Sequence, residues 1–160
     1  MAAGTHLKLS IVAIGKLARS PETELVKTYV ERATNAGRAL GLGPLEVIEV
    51  ESRKPGKSAE ALALQSYLAD AHVIACDEHG TARSSRAFAE EIAALRDRGV
   101  RRLVFLIGGA DGLAPELLAQ ANGKLAFGPQ TWPHAMARAM LAEQVYRAVT
   151  ILAGSPYHRD

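Results

Sequence analysis

Glycine is dense between Leu106 and Leu113, where the chain reads Leu-Ile-Gly-Gly-Ala-Asp-Gly-Leu directly after its most hydrophobic stretch. Gly108, Gly109 and Gly112 allow backbone to approach a ligand closely and to take positive φ, and the carboxyl edge of a parallel sheet is where ligands collect. The segment is neither G-x-G-x-x-G nor a phosphate loop with Gly-Lys-Ser, so it names no nucleotide fold, and its spacing alone favours a tight strand-to-helix turn. A second segment, Phe127 to His134, reads Phe-Gly-Pro-Gln-Thr-Trp-Pro-His and contains the only tryptophan, Trp132. Pro129 and Pro133 stiffen it. A rigid loop that runs into a helix start offers backbone donors and acceptors to a polar ligand, whereas as a plain connection it would use Trp132 to cap the core. Asp77 to Gly80 forms a third loop leaving the same sheet edge. Three convergent loops point to one pocket.

His134 and Arg138, one helical turn apart, share a helix face, as do Glu143 and Arg147. The second pair reads most simply as a surface or interface salt bridge. His134 at a helix start suits a neutral, hydrogen-bonding imidazole, and equally a structural histidine. The chain ends Ser155-Pro156-Tyr157-His158-Arg159-Asp160. A ring, an imidazole and a guanidinium in succession can stack on a base and hold a phosphate, although most tails are frayed and inert. No spacing of His, Cys and acids resembles a metal site. Cys76, the single cysteine, reads as a small buried apolar residue at a strand end rather than a nucleophile.

Regular alternation supplies the frame for these residues. Leu7 to Ile14 is a β-branched apolar run stopping at Gly15, a buried strand. Ser20, Pro21, Glu22 and Glu24 open a helix that carries Leu25, Val26, Tyr29, Val30 and Ala33 on one face and breaks at Gly37. Leu45 to Val50 reads as a second strand, Glu51 to Lys57 as a mobile basic loop, and Ser58 onward as a helix with Ala61, Leu64, Leu68 and Ala71 inward. His72 to Cys76 is a third strand, followed by a loop from Asp77 to Arg83. Ser84 or Ser85 caps a third helix that stops at Gly99. Leu103 to Ile107 is apolar throughout, as a central parallel strand covered on both faces requires. A short helix near Pro115 to Ala121, a strand at Leu125 to Phe127 and a last helix from about His134 to Leu152 complete the series. Strands alternating with helices favour an α/β parallel sheet with helices on both faces. No internal repeat or linker divides residues 1–160, so one domain is expected. The last helix spreads Met136, Met140, Leu141, Val145, Val149 and Leu152 over more than one stripe, which either a second copy of the chain or other helices of the same chain would cover.

Bulk properties limit the partners. The chain has 160 residues, 48% of them apolar, with 19 basic and 17 acidic side chains for a net charge of +2. That charge is too small to make the whole surface attract nucleic acid, so any anion site is local. Arg53, Lys54 and Lys57 in the basic loop are the residues expected to form one, against the alternative of a solvated loop. A single cysteine asks for no oxidising compartment, Met1 to His6 lack the features of a signal peptide, and no apolar run has membrane-spanning length. A cytoplasmic protein without membrane contact is the expectation.

Four segments together resemble the ribosomal RNA large subunit methyltransferase H family of the SPOUT class, nearly end to end. They are the strand ending Ile14-Gly15-Lys16, the Leu106 to Leu113 segment, the Trp-Pro-His-Ala-Met-Ala-Arg start of the last helix with its continuation Glu-Gln-Val-Tyr-Arg-Ala, and the terminal Pro-Tyr-His-Arg. The resemblance implies a C-terminal trefoil knot and a homodimer, neither of which follows from the residue pattern. It implies transfer of a methyl group from S-adenosylmethionine to N3 of a pseudouridine in large-subunit (23S) ribosomal RNA on assembled ribosomes, with no metal. Carried over by position, cofactor contacts fall at Cys76, Asp77, Gly108 and Gly109 and at Phe127, Gly128, Pro129, Gln130, Thr131 and Trp132. His134, Arg138, Tyr157, His158 and Arg159 then lie near the target nucleotide as the catalytic set, with the tail contributed by the other subunit. The chain departs from the family pattern at Cys76, where relatives usually carry Leu, and in a longer Ala36 to Gly43 stretch and the Met1 to His6 extension. A noncatalytic ribosome-binding module or an enzyme acting on transfer RNA are the alternatives on the same fold.

Overall fold

In a computed structural model, described over residues 5–160, the chain alternates strands and helices around one five-stranded sheet. The strands are β1 (Leu7–Ile14), β2 (Leu42–Val50), β3 (His72–Thr81), β4 (Arg102–Ile107) and β5 (Gly123–Leu125), all parallel, in the order β2-β1-β4-β3-β5. The helices are α1 (Pro21–Gly37), α2 (Lys57–Gln65), α3 (Ser85–Asp97), α4 (Pro115–Gln120) and α5 (His134–Ala153). Residues 1–4 of the amino-terminal extension lie outside the described residues.

Side-chain alternation along the strands builds two cores. Leu9, Ile11 and Ala13 of β1 face α1, α3 and α5 together with Phe105, Phe88, Ile92, Leu141 and Val145. Val12 and Ile14 face the other way, toward Ala61 and Leu64 of α2 and Leu117 of α4. β4 lies in the middle of the sheet and is buried from Leu103 to Ile107, as its unbroken apolar sequence requires. Ser20 caps α1, its hydroxyl accepting from the Thr23 N–H at 3.3 Å, and Ser84 rather than Ser85 caps α3 through the Ala87 N–H at 3.0 Å.

Several boundaries differ from the sequence reading. β2 begins at Leu42, three residues earlier than expected, and β3 continues through Asp77–Thr81, which the sequence suggested was a loop. That extension pairs with β5 again at Thr81 after an irregularity beyond Cys76, so ladder pairing overrides its polar composition. β5 lies at Gly123–Leu125 instead of Leu125–Phe127, and α2 stops at Gln65, although Leu68 beyond it is still buried. Among the described residues no helix is long and apolar enough to cross a membrane.

From β5 at one edge of the sheet the chain returns across the carboxyl ends of β3 and β4 to start α5 beside β1, where Arg138 meets the carbonyls of Ile14 and Gly15. This return, residues 126–133, is the segment that forms one wall of the candidate site.

Candidate functional site

Three stretches meet at the carboxyl edge of the sheet around a cleft of about 790 Å³, a size that suits a small-molecule ligand. The first is the end of β3, which contributes Cys76, Asp77, Glu78 and His79. The second is the turn after β4, from Ile107 through Leu113. The third is the return segment, through Leu125, Phe127, Gln130, Thr131, Trp132, Pro133 and His134. Lys57, at the start of α2, closes the rim.

The glycine turn is held tightly. Gly112 takes φ +78° and donates its N–H to the Gly109 carbonyl at 3.0 Å. A Cβ on Gly108 would sit 2.6 Å from the Gly112 carbonyl carbon and 2.7 Å from its oxygen, so the backbone leaves no room there for any side chain. At Gly109 the nearest atom is the flexible carboxylate of Glu60. Thus the first glycine is required by backbone packing within the turn, while the second keeps the surface low.

The return segment is pinned at two points. The Trp132 indole N–H donates to the Phe127 carbonyl at 3.0 Å, and the Thr131 hydroxyl donates to the Glu78 carboxylate at 2.7 Å. Trp132 is therefore 39% exposed on the cleft wall rather than a cap on the core. Gly128, at φ +89°, turns the chain and faces a different groove. Pro129 is exposed beside it. Burial pushes the Cys76 thiol up to about 12, with Arg83 opposing the shift, so the residue is an uncharged apolar wall at neutral pH. Among the described residues no three of His, Cys, Asp and Glu gather as a metal site.

The five residues that the resemblance implied near the target nucleotide separate into three places. His134, the first residue of α5, is exposed on the cleft rim. Arg138, though on the same face, is 1% exposed and points into the protein: Nη1 lies 2.8 Å from Glu49 Oε2, while Nη2 donates to the carbonyls of Ile14 at 3.3 Å and Gly15 at 3.1 Å. Among the described residues its Nε has no hydrogen-bond partner, and burial lowers its pKa against the pull of Glu49. The tail folds onto α5. The Tyr157 hydroxyl donates to Glu143 at 3.0 Å, the ring packs at a tilt of 59° against Tyr146, and Arg147 lies over it, 4.8 Å from the ring centre. Burial and the Glu143 carboxylate both hold that phenol protonated well above its ordinary range. His158 meets Arg147 and Asp160, while Arg159 is exposed. The Glu143–Arg147 pair is thus a partly buried anchor for the tail rather than a free surface bridge.

Sequence reasoning did not single out Glu49 or Glu78. Glu49 accepts from Arg138 and from the Leu17 N–H at 2.7 Å, and so ties the β1–α1 loop, β2 and α5 together. Its one sequence signal is an acid beside the last residue of a strand whose only other charge is Glu46.

Beside the cleft, a second groove of about 480 Å³ lies between α1, α3 and α5 and is walled by Leu25, Phe88, Met136 and Met140 with Tyr29 and Glu143. Leu25 is 44% and Met136 36% exposed there, so the surplus apolar positions of α5 are only partly covered by the chain's own helices.

Residues 7–158 match the family described as predicted SPOUT methyltransferase. The chain is 84% identical over 154 residues to a protein of Phenylobacterium zucineum (strain HLK1) named ribosomal RNA large subunit methyltransferase H, a match covering 96% of this chain and all of that one. A protein of the same name from Caulobacter vibrioides is 64% identical, with 96% of this chain and 99% of the relative aligned. Among solved structures, a probable methylase family protein from Haemophilus influenzae Rd KW20 superposes with a TM-score of 0.55 at 14% identity, over 98% of this chain and 72% of the other. A probable methyltransferase from Bordetella pertussis Tohama I gives 0.54 at 19%, over 91% and 98%. At these identities the structural likeness speaks for the fold alone.

Proposed function

The chain belongs to the SPOUT methyltransferase family, and on that premise we propose that it transfers a methyl group from S-adenosylmethionine to N3 of a pseudouridine in large-subunit ribosomal RNA. Methylation of that RNA agrees with the names of relatives up to 84% identical. The observation that most supports the cofactor is the joining of three stretches, the end of β3, the glycine turn and the return segment, in one cleft beside an exposed imidazole.

The cleft suits the cofactor chemically. Ile107, Leu113, Leu118 and Phe127 offer apolar walls for a purine, and the backbone of the glycine turn and return segment offers the closely spaced polar groups that hold a ribose and an amino acid moiety. Cys76, Asp77, Gly108, Gly109 and the stretch from Phe127 to Trp132 would line it, with Gly128 and Pro129 acting through the bend they impose.

S-adenosylmethionine supplies a methyl group already activated by its sulfonium centre, so the protein's task is chiefly to orient donor and acceptor in line. The imide N3–H must lose its proton as the new N–C bond forms. His134, exposed at the rim and without a side-chain hydrogen bond among the described residues, is the group we assign to take it. Arg138 serves this step from below by fixing the start of α5, and Arg159 is the cation left to meet the developing imidate.

The reading includes a homodimer. A second copy seated on the Leu25–Met136–Met140 groove would cover the apolar surface left by α1 and α5, and its tail would approach the first copy's cleft from the Glu143 side. It also includes the knotted threading of residues 126–133, a single catalytic domain and a cytoplasmic location, where ribosomes are found.

The test is incubation of undermethylated ribosomes with radiolabelled S-adenosylmethionine, followed by mass mapping of the RNA. Label on a large-subunit pseudouridine is the expected result. Label on transfer RNA alone, or none despite cofactor binding by calorimetry, would refute it.

A further inference from the structure

The two loops that leave the sheet after β1 and β2, with the first residue of α2, carry five cations, Lys16, Arg19, Arg53, Lys54 and Lys57, against one acid of their own, Glu51. All five are exposed, and none has a side-chain hydrogen bond or ion pair among the described residues. This distinguishes them from most cations elsewhere in the protein. Arg83 is paired with Glu91 at 2.7 Å, Arg147 with Glu143 at 2.6 Å, Arg86 with Asp160 at 2.6 Å and Arg138 with Glu49 at 2.8 Å. A net charge of only +2 therefore conceals a local excess at one place.

The backbone sets these cations side by side. β1 and β2 are paired in parallel to their last residues, Ile14 opposite Val50, and the Gly15 N–H donates to the Val50 carbonyl at 2.9 Å. The two loops consequently leave the same edge of the sheet together. The Ser52 hydroxyl donates to the Lys54 carbonyl at 2.6 Å and shapes the second loop. Glu49, the acid of β2 that precedes the second loop, is engaged by Arg138 and the Leu17 N–H rather than by these cations. The chain then enters α2 at Lys57, which lines the cleft. The unpaired charge thus runs from the outer edge of the sheet to the mouth of the site.

We infer that these loops are a docking surface for the phosphate backbone of RNA, with Lys16, Arg19, Arg53 and Lys54 gripping the strand on the approach and Lys57 receiving it at the cleft. This rests on the reading of the cleft as a site for RNA methylation. Unpaired, exposed cations with no aromatic side chain among them suit repeated phosphates, whose contacts position a nucleic acid without reading its sequence. An acidic protein surface would be expected to meet a patch with an apolar centre, and neither loop carries a large exposed apolar side chain: Leu25 and Met136 line the separate groove, Trp132 lines the cleft and Leu62 lies on α2.

The experiment compares the full-length chain with the K16A/R19A and R53A/K54A variants and their combination, titrated with a fluorescein-labelled large-subunit RNA stem-loop at several salt concentrations. The charge-keeping variant R53K/K54R, polyglutamate as an acidic polypeptide, and calorimetry with S-adenosylmethionine complete it. The fourfold variant is expected to bind the RNA at least about tenfold more weakly, with the slope of log affinity against log salt lowered by about 0.7 for each phosphate that the loops cease to neutralise. R53K/K54R should bind within about twofold of the parent, because phosphate accepts either cation, and cofactor affinity should stay unchanged throughout. Parental RNA affinity and salt slope in the fourfold variant overturn the inference, as does an equal loss of polyglutamate and RNA binding. RNA binding lost with the loops in a chain that never binds the cofactor supports the surface and refutes the reading of the cleft. Cofactor binding without any RNA binding refutes the surface and leaves that cleft intact.

Discussion

Arg138 Nη1 lies 2.8 Å from Glu49 Oε2, joining the first turns of α5 to the carboxyl end of β2, and the two partners are unequally covered: 1% of the Arg138 side chain is exposed and 33% of Glu49. The asymmetry decides which deletion costs more. In E49A the guanidinium stays buried without its counter-charge, whereas R138M leaves a carboxylate that is already near water and two neutral carbonyls, those of Ile14 and Gly15, without their donor. Breaking a buried pair by removing one partner costs about 3–5 kcal/mol, and partial exposure puts E49A toward the lower end. R138M, which keeps much of the packing volume, should cost roughly 1 kcal/mol less. Urea unfolding checks the order, and R138M proving the less stable of the two would remove the strut role.

Gly108 and Gly109 should respond differently to one added methyl group. At Gly108 the Cβ would meet backbone of Gly112 at 2.6–2.7 Å, and at Gly109 only the Glu60 carboxylate, at 2.9 Å. A side chain can swing away; a hydrogen-bonded turn cannot. G108A is expected to lose about 1–3 kcal/mol of stability through overpacking, together with cofactor affinity, while G109A folds normally. Trp132 on the cleft wall gives the readout, since emission from the only tryptophan should change as S-adenosylmethionine is added to G109A and fail to change in G108A at the same concentration.

The contrast between those two glycines shows where sequence reading stops. The Gly-rich turn was legible because it follows β4, whose Leu103–Ile107 run admits little besides a central strand. Which glycine tolerates a side chain depends on Gly112 folding back, which no local spacing states. Arg138 is the sharper case. Its one-turn relation to His134 puts both on one helix face, yet its partner is 89 residues away on β2, so the side chain leaves the face that periodicity assigned to it. β5 departs from the sequence expectation for a related reason: Gly123 and Lys124 have poor strand character, and only pairing with Ile74 and Ala75 makes them a strand.

Cys76 makes stability fall at high pH. Its folded value is pushed up to about 12 from 9.0 because the wall of the cleft desolvates the thiolate. Below about pH 9 the thiol is protonated in both states and the packing contribution is fully present. Above that the unfolded chain loses the proton first, and stability drops by up to about 1.4 kcal/mol per pH unit until the folded value is reached. Denaturant midpoints at pH 8 and 10.5, taken as a difference from C76A to cancel other titrations, should show the parent losing more. Equal slopes would place the thiol in water. In the same window, alkylation by iodoacetamide should be slower than for a free thiol.

His134 and the tail separate binding from transfer. His134 is exposed at the rim, and Tyr157 and His158 are tied to Glu143 and Arg147 on α5 rather than to the cleft of their own chain. If His134 takes the N3 proton, H134A keeps cofactor affinity within about twofold and loses about 10²–10⁴ in turnover, the range for general acid–base groups. A chain ending at Pro156 should behave similarly if the tail acts at the target nucleotide, but for a different reason, and mixing distinguishes the two. Combining H134A with the truncated chain creates dimers in which one copy supplies the imidazole and the other the tail; one composite site in such a dimer is then complete. Recovery of methyl transfer on mixing, measured as label in ribosomal RNA, is the expected outcome when the tail crosses to the partner. Activity that stays absent, with exchange of copies verified by native mass spectrometry, would mean that histidine and tail must come from the same chain.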